Sequence, residues 1–378
     1  MPEIGSPIAI DRAASLNRLT EQTAITFLCE KGLLDPRAIV DGQLTVQRVS
    51  RRNLSFRITT TLGQNFFVKH GLGDERATSV AREAAILRAV DAAPHTDRLR
   101  RFLPRVRDWD EERQILVFDL VPEARSLVEH YRQTGRWSLA LARQAATALR
   151  LLHSWQPDSA VVDVGDGRPP GILSIHRPDR ALLSRMTGGS LEIIKIIQAS
   201  PQIVTGFDEL RDAWSPSALI HGDIKWDNVV VLPTESNDSA RLQLVDWEMA
   251  RLGDPLWDVG SYLSQYLDRW IMSIPAAGNS ALAQARAAGV PLPRLQPAMQ
   301  HFWERYTDGV GLDRGNRAVA LERVVRYAAA RLVQTAIEGE YQSAVLSNTG
   351  VLRLQVAQNM LQRPTVAATS LLGLDRDG

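Results

Sequence analysis

Three oxygen-bearing side chains lie at the ends of two short apolar runs in the middle of the chain. Asp223 and Asn228 precede the run 229–232, and Asp246 follows the run 242–245. If these runs form neighbouring strands, Asn228 and Asp246 supply the pair of oxygen ligands that Mg²⁺ usually takes from a protein. Asp223, one loop earlier, is then placed to accept the proton of a hydroxyl group. These residue types suit phosphoryl transfer, because that reaction needs positioning and charge neutralisation more than covalent chemistry.

A lysine and a glutamate nearer the N-terminus form a matching pair. Lys69 ends the run "FFVKH", where its ammonium would meet the phosphates of a nucleotide. Glu83 lies in "ATSVAREAAILRAV", which has the apolar spacing of an amphipathic helix. A strand lysine paired with a helix glutamate is the usual arrangement for aiming a lysine at phosphate.

Three further residues around the central segment are candidates for catalytic or supporting roles. Lys225 would contact the γ-phosphate or point into solvent, and we include it among the catalytic candidates. Asp258, in "LWDVG", would accept hydrogen bonds from the backbone of the loop that begins at His221. His221 by itself is more often a structural histidine than a catalytic one, and the family resemblance described below implies that it stabilises that loop and transfers no proton.

The elements that must position these residues change character along the chain. A leading helix is predicted over residues 20–34, followed by three short antiparallel strands at 44–49, 54–60 and 65–70. One packed helix and one more apolar run follow, and beyond Pro122 the pattern is mostly helical. The predicted fold class is therefore α+β, with a small antiparallel-sheet N-lobe and a mainly helical C-lobe.

Charge and cysteine content narrow the classes of partner and compartment. The chain has 378 residues and a formal net charge of +1, so its charge does not indicate a nucleic acid or an anionic membrane as partner. Cys29 is its only cysteine, which excludes an intramolecular disulfide framework and agrees with a reducing, cytoplasmic compartment. Residues 1–17 lack the apolar core of a secretory signal, and no apolar run approaches the roughly 20 residues of a membrane span.

The central segment also carries a recognisable motif. His-x-Asp-x-x-x-x-Asn is present as "HGDIKWDN", from His221 to Asn228. It is followed by "LVDWEMARLGDPLWDVG", which is similar to an Asp-Trp-Glu segment and its Gly-Asp-Pro-x-x-Asp continuation, and it is preceded by "LRLLHSW", with His153. With these motifs in this order, residues 46–341 resemble the aminoglycoside phosphotransferase and choline kinase family, which has the protein-kinase-like fold.

This resemblance implies a bilobal protein-kinase-like fold that uses ATP and Mg²⁺ to transfer the γ-phosphate to a hydroxyl group. It implies that Asn228 and Asp246 hold the metal, and that adenine lies against an apolar hinge with Phe118, Asp119 and Val121 as nucleotide contacts. The predicted divisions are an N-terminal helical extension at 1–42, an N-lobe with the nucleotide-binding sheet at 43–122, a helical C-lobe with the catalytic and metal loops at 123–365, and a flexible tail at 366–378.

One feature departs from the family pattern. The nucleotide loop of the family usually carries glycines, but "VSRRNLSF" has none, and no glycine lies between Gly42 and Gly63. Backbone amides approach phosphate less freely without glycine, so Arg51 and Arg52 are predicted to compensate as side-chain cations. On a regular strand at most one of them would face the nucleotide.

Two classes of acceptor and one non-enzymatic alternative stay open. An Arg-Arg-Asn stretch at this place is similar to kinase-like enzymes of lanthipeptide and thioamitide biosynthesis, which phosphorylate a peptide Ser or Thr before a partner lyase eliminates the phosphate. The other acceptor class is a small molecule, such as an antibiotic, an amino alcohol or a sugar. Polycationic aminoglycosides need an acidic pocket, whereas arginines slightly outnumber Asp plus Glu between residues 261 and 344, so the peptide acceptor is slightly favoured. A kinase-like nucleotide-binding protein without turnover is favoured by the missing glycines and disfavoured by the intact Asp223, Asn228 and Asp246.

Overall fold

The computed structural model describes residues 18–49, 54–157, 163–233, 241–276, 281–309 and 314–375. The chain divides into two compact units. The first, here called the sheet unit, comprises Met1–Ala124, Ala160–Asp163 and Asp246–Met249. The second, here called the helical unit, comprises Arg125–Ser159, Val164–Val245 and Ala250–Gly378. The predicted divisions after residues 42, 122 and 365 stay predictions.

The sheet unit is built on one five-stranded antiparallel sheet. Its strands are β1 (Leu44–Arg48), β2 (Leu54–Thr60), β3 (Phe66–His70), β4 (Val106–Asp110) and β5 (Ile115–Asp119), in the spatial order β1-β2-β3-β5-β4. Its helices are α1 (Glu21–Glu30), α2 (Arg37–Val40), α3 (Asp74–Ala92) and α4 (Asp97–Arg100). The three strands predicted from the alternating pattern are present, and β4 is an addition that the sequence analysis missed. Lys69 lies on the central strand β3, opposite Ser55 and Leu116.

The leading helix belongs to the core of the sheet unit. Ala24, Phe27 and Leu28 on α1 are buried in one apolar cluster with Phe56 and Ile58 of β2. Helix α1 ends at Glu30, before the predicted limit at residue 34, and Gly32 follows with φ of +65°. Glycine adopts this left-handed conformation without the steric cost that a Cβ brings, so it ends the helix. Of the segment predicted as an extension, the described residues 18–42 thus contribute α1 to the core of the sheet unit.

The helical unit contains the remaining α-helices of the described residues. They are α5 (Leu127–Thr134), α6 (Leu139–Ser154), α7 (Arg180–Leu183), α8 (Gly188–Ala199), α9 (Pro201–Asp212), α10 (Pro255–Met272), α11 (Ala281–Arg286), α12 (Gln296–Thr307), α13 (Arg314–Gly339), α14 (Asn348–Gln362) and α15 (Pro364–Ala367). Helix α10 packs along α13, α13 along α14, and α6 along α12. Ser138 caps α6 by accepting a hydrogen bond from the Leu141 amide, which satisfies one of the free N–H groups of its first turn.

Short strands hold the central motif within the helical unit. They are β6 (Arg125–Ser126), β7 (Ala218–Ile220), β8 (Val229–Leu232), β9 (Arg241–Leu244) and β10 (Arg251–Gly253). Strand β8 pairs antiparallel with β9, with Val229 opposite Leu244, and β7 pairs with β10. The prediction that the two apolar runs form neighbouring strands is thus confirmed. So is the fold class, since a small antiparallel sheet accompanies a mainly helical part.

The C-terminal segment is described as far as residue 375. Helix α15 continues into a π-helical turn over Ala368–Leu372, and the side chains of Leu372 and Leu374 are buried. Gln300 of α12 donates a hydrogen bond to the carbonyl of Gly373 at 2.7 Å. The segment "TSLLGL" thus packs against α12, and the flexibility predicted for residues 366–378 stays a prediction. Within the part of the chain that the structure describes, no helix combines the length and apolar character needed to cross a membrane.

We predict that His70 makes the stability of the protein depend on pH. His70 is buried, and its Nδ1 accepts a hydrogen bond from the Leu19 amide at 3.3 Å. Burial lowers the pKa of His70 below its ordinary value of 6.5. Between that lowered pKa and about 6.5, the unfolded chain binds a proton that the folded chain does not, so the free energy of unfolding falls as pH falls.

Urea unfolding of wild type and His70→Asn at pH 7.5 and 5.5 measures this contribution. The free-energy difference between the two proteins should shrink at the lower pH, because only the wild type loses the contribution of neutral His70. His301→Asn is the control, since its side chain is 37% exposed. A difference between His70→Asn and wild type that is the same at both pH values would contradict the assignment.

Candidate active site

The loop that follows β7 is fixed by one buried carboxylate. Asp258, in the first turn of α10, accepts hydrogen bonds from the amides of His221 at 2.7 Å and Gly222 at 3.0 Å. Gly222 has φ of +79°, a conformation that suits glycine and that turns both amides towards the carboxylate. The hydrogen bonds predicted for Asp258 are therefore confirmed.

His221 and His153 complete the support of this loop. The Nε2 of His221 donates to the carbonyl of Val245 at 3.0 Å, which ties the loop to the end of β9. His153, at the end of α6, places Nε2 3.2 Å from Asp258 Oδ2 and Nδ1 2.9 Å from the Tyr306 hydroxyl. His153 thus holds Asp258 from the side opposite the loop, which agrees with its predicted structural role.

The Asp223 carboxylate lies beyond this turn and has a partner on each oxygen. Lys225 Nζ donates to Oδ2 at 2.7 Å, and Asn228 Nδ2 donates to the same oxygen at 3.2 Å and to the Asp223 carbonyl at 2.9 Å. Because the amide nitrogen of Asn228 is used in this way, Oδ1 is the polar atom of that side chain that remains for a metal. The structure therefore brings three predicted residues together within one turn.

The second oxygen of Asp223 is bound by a residue that the sequence analysis missed. Arg331 Nη2, from α13, donates to Asp223 Oδ1 at 3.3 Å, and Arg331 is 1% exposed. Its guanidinium lies 5.7 Å from the ring centroid of Trp257, the neighbour of Asp258. Arg331 is 108 residues away from Asp223 in sequence and looks like any other arginine of an amphipathic helix, so no local signal identifies it.

The surroundings of Asp223 decide its ionisation. Burial by itself raises the pKa of this carboxyl, but the charges of Arg331 and Lys225 outweigh burial and hold its pKa below the ordinary value of 3.8. Asp223 is consequently a carboxylate at neutral pH, able to accept a hydrogen bond from a hydroxyl group and, in the transition state, its proton.

In the sheet unit, Lys69 lies between two carboxylates. Its Nζ is 2.9 and 2.7 Å from the two carboxylate oxygens of Glu83 and 2.7 Å from Asp246 Oδ1. Burial would lower the pKa of the ammonium, but Glu83 and Asp246 outweigh it and raise the pKa above its ordinary value. Lys69 and Glu83 are almost inaccessible to solvent, whereas the Asp246 side chain is 33% exposed. The predicted pairing of Lys69 with Glu83 is confirmed.

Asp246 has an unusual backbone conformation. Its φ is +69°, a left-handed value that non-glycine residues rarely adopt and that costs about 1–3 kcal/mol. The next amide, that of Trp247, donates to Glu83 Oε1 at 3.1 Å, so the Asp246 backbone is held by the residue that also holds Lys69. Strain of this kind persists only where its surroundings fix it, and it is concentrated at functional sites.

The predicted hinge residues lie on β5 and just after it. Phe118 is buried, and its ring centroid is 5.9 Å from Lys69 Nζ. Asp119 pairs with Arg107, and its amide donates to the Arg105 carbonyl. Val121 is half-buried. The predicted nucleotide contacts Arg51 and Arg52 lie outside the described residues, and the roles of all these residues in binding stay predictions.

Comparison with known proteins places the chain in a family. A family model described as the phosphotransferase enzyme family matches residues 45–300, about two thirds of the chain. The chain belongs to this family. It is a phosphotransferase that acts on hydroxyl groups, as the motifs predicted, and the matched range contains Lys69, Glu83, Asp223, Asn228 and Asp246.

Two solved structures show how far this phosphotransferase resembles others in fold. Choline kinase LicA from Streptococcus pneumoniae is 15% identical with a TM-score of 0.50, over 90% of this chain and 98% of that chain. A choline kinase from Cryptosporidium parvum Iowa II is 11% identical with a TM-score of 0.51, over 92% of this chain and 96% of that chain. At such identities the similarity concerns the fold alone. No curated protein matches the sequence.

We predict that Asp258→Asn destabilises the protein. Asparagine keeps the shape but turns one acceptor oxygen into a donor, so one of the two loop amides loses its acceptor in a buried site. The free energy of unfolding in urea should fall by about 1–3 kcal/mol. Asp212→Asn, at a side chain that is 74% exposed, is the control and should stay within about 0.5 kcal/mol of wild type. Equal effects of the two substitutions would show that the loop does not depend on Asp258.

Proposed function

We propose that the protein is an ATP- and Mg²⁺-dependent O-phosphotransferase with Asp223 as the catalytic base. The observation that carries this proposal is the turn from Asp223 to Asn228. The ionised carboxylate and the asparagine amide are joined by a hydrogen bond on a loop that Asp258 fixes. A base and a metal ligand held by the same turn keep their relative positions during transfer, which is the main demand of phosphoryl transfer.

The reaction proceeds by in-line displacement at the γ-phosphorus of ATP. The acceptor hydroxyl oxygen forms a new bond to phosphorus while the bond to the bridging oxygen breaks, and the electron pair of that bond leaves with ADP. The proton of the hydroxyl passes to Asp223. Lys225 is one third exposed and moves from Asp223 Oδ2 to the transferred phosphate, which frees this oxygen for the hydroxyl. Lys69 binds the non-transferred phosphates, aimed by Glu83.

The proposed ligands of Mg²⁺ are Asn228 and Asp246, and the donor chemistry fits this ion. Both offer oxygen, which Mg²⁺ prefers, and the rest of its coordination shell is usually phosphate and water. Lys69, Glu83 and Asp246 together carry two negative charges and one positive charge, and this excess of one negative charge favours the binding of a cation. When bound, Mg²⁺ would neutralise charge that develops on the phosphates.

For the acceptor, we propose the hydroxyl of a small molecule. Family membership and the names of the structures of similar fold support this choice over the peptide Ser or Thr that the sequence slightly favoured. The peptide acceptor, and with it the partner lyase, was favoured by the charge balance of residues 261–344 and by the Arg-Arg-Asn stretch, which lies outside the described residues. Cys29 is a free thiol, which supports a reducing compartment such as the cytoplasm. ATP consumption with and without a panel of alcohols tests the proposal, and nucleotide binding without any consumption would identify a non-catalytic relative.

We predict that Asp223→Asn removes transfer while ATP binding persists. Asparagine keeps the shape of the side chain and one acceptor oxygen but cannot accept the proton, and loss of a positioned base typically costs roughly 10²–10⁴ in rate. Asp227→Asn, an exposed aspartate on the same turn, is the matched control and should leave turnover unchanged. Turnover by Asp223→Asn close to that of wild type would exclude Asp223 as the base.

We predict that Asp246→Ala weakens binding of Mg²⁺-ATP by at least about tenfold more than binding of metal-free ATP. The reason is that Asp246 is the single full negative charge placed on the metal. Calorimetry with Mg²⁺ and with EDTA measures the two affinities, and Glu248→Ala in the same short segment is the control. Equal weakening under both conditions would assign Asp246 a structural role instead.

A further inference from the structure

Arg331 places a positive charge beside the proposed catalytic base, Asp223, and the sequence motifs do not predict this contact. The guanidinium is buried between Asp223 and the Trp257 ring, and its side chain is 2% exposed. Burying a guanidinium removes hydration worth several kcal/mol unless a paired charge compensates. Asp223 Oδ1 is the carboxylate oxygen that the structure places against it, at 3.3 Å. We therefore expect Arg331 to stay paired with Asp223 when Lys225 or a substrate binds to or leaves this carboxylate.

Two cations consequently face one carboxylate. Lys225 holds Asp223 Oδ2 and Arg331 holds Oδ1. In the proposed reaction Lys225 turns to the phosphate, but Arg331 is fixed by burial in α13 and remains. When the acceptor enters, the charge of Asp223 is still cancelled by a neighbour in direct contact.

The two buried carboxylates Asp258 and Asp254 near the loop are both paired. Both oxygens of Asp258 bind loop amides, and one of them also binds His153. Asp254 caps α10 and is held by Tyr327 and Arg323. Asp227, on the same turn as Asp223, is exposed, so solvent and salt screen its charge. None of these three carboxylates therefore replaces the hydration that an ammonium would give up beside the acceptor hydroxyl.

We propose that Arg331 is a specificity-determining residue, which selects acceptors that carry no positive charge beside the reacting hydroxyl. The inference rests on the proposed function, since it assigns the acceptor class of the same site. A neutral alcohol gains from Asp223 a hydrogen bond to its hydroxyl, and this hydrogen bond survives the cancellation of net charge. A cation gains chiefly from net charge, which Arg331 removes at the shortest range.

The test uses pairs of acceptors that share a hydroxyl and a shape but differ in charge. Choline with 3,3-dimethyl-1-butanol, glucosamine with glucose, and serinamide with N-acetylserinamide are three such pairs. The full-length protein is incubated with Mg²⁺-ATP and each compound, and kcat/KM is obtained from the phosphorylated product by mass spectrometry. In every pair with turnover, the wild type should favour the neutral member by about tenfold or more, as expected for one unit charge at several ångströms in a partly polar medium.

Arg331→Met should reduce this preference at least about fivefold, because it keeps the length of the side chain and removes the charge. Arg331→Lys retains the charge and should keep the wild-type preference, which a merely structural role of Arg331 would not require. Arg326→Met is the matched control, since Arg326 lies on the same helix and pairs with Glu209 at 2.8 Å. Thermal unfolding verifies that each variant is folded, and if Arg331→Met is not, Arg331→Gln replaces it.

Each remaining outcome bears on one proposal. A wild type that favours the cationic members, or an Arg331→Met variant with an unchanged preference, overturns the role of Arg331. So does a wild type that hydrolyses Mg²⁺-ATP in water but phosphorylates no neutral member of the panel. Absence of both ATP turnover and Mg²⁺-dependent nucleotide binding would contradict the proposed function itself, and it is distinguished by measuring ADP release without any acceptor.

Discussion

The hydrogen bonds from two loop amides to the buried carboxylate of Asp258 fix the backbone that positions Asp223 and Asn228, the proposed base and metal ligand. Each amide would otherwise lack a partner in a site without solvent, which costs about 1–3 kcal/mol per group. The positive φ of Gly222 lets consecutive amides reach the same carboxylate. Through this turn, the position of Asp223 is set by helix α10 and not by the loop alone.

Charged groups are buried in both units, and in each case a specific partner balances them. Lys69 is paired with Glu83 and Asp246, and Arg331 with Asp223. Buried ion pairs contribute little net stability, because desolvation offsets most of the attraction. Their value here is positional: each one holds a side chain in a single orientation and sets the charge that a substrate meets. This is why a buried arginine can influence the choice of acceptor without touching it.

The sheet unit shows how a motif residue acquires its orientation from packing. Lys69 lies on the central strand of five, and the apolar cluster beneath the sheet includes α1, which precedes the strands in sequence. Strand β3 is paired with β2 on one edge and with β5 on the other. Its register with these strands fixes the position of Lys69 along the strand direction. Helix α3 places the Glu83 carboxylate beside this position, within hydrogen-bond distance of Lys69 Nζ.

The sequence by itself determined the family, the fold class and the identity of the charged groups, because these depend on local spacing. The turn from His221 to Asn228 has its motif within eight residues, and the strands near Lys69 alternate with period two. The roles of Lys225, Asp246 and the hinge residues were inferred from the motifs alone and stay predictions. Strand β4 was missed, since its two apolar residues, Val106 and Trp109, are separated by charged residues.

Only the tertiary structure decided which distant groups surround Asp223. Arg331 meets Asp223 because α13 packs along α10, and His153 meets Asp258 because α6 ends beside the same helix. Contacts across such separations arise from helix packing, which the composition of one helix does not specify. The balance of charge at Asp223 is therefore a property of the folded chain, although every residue that creates it is present in the sequence.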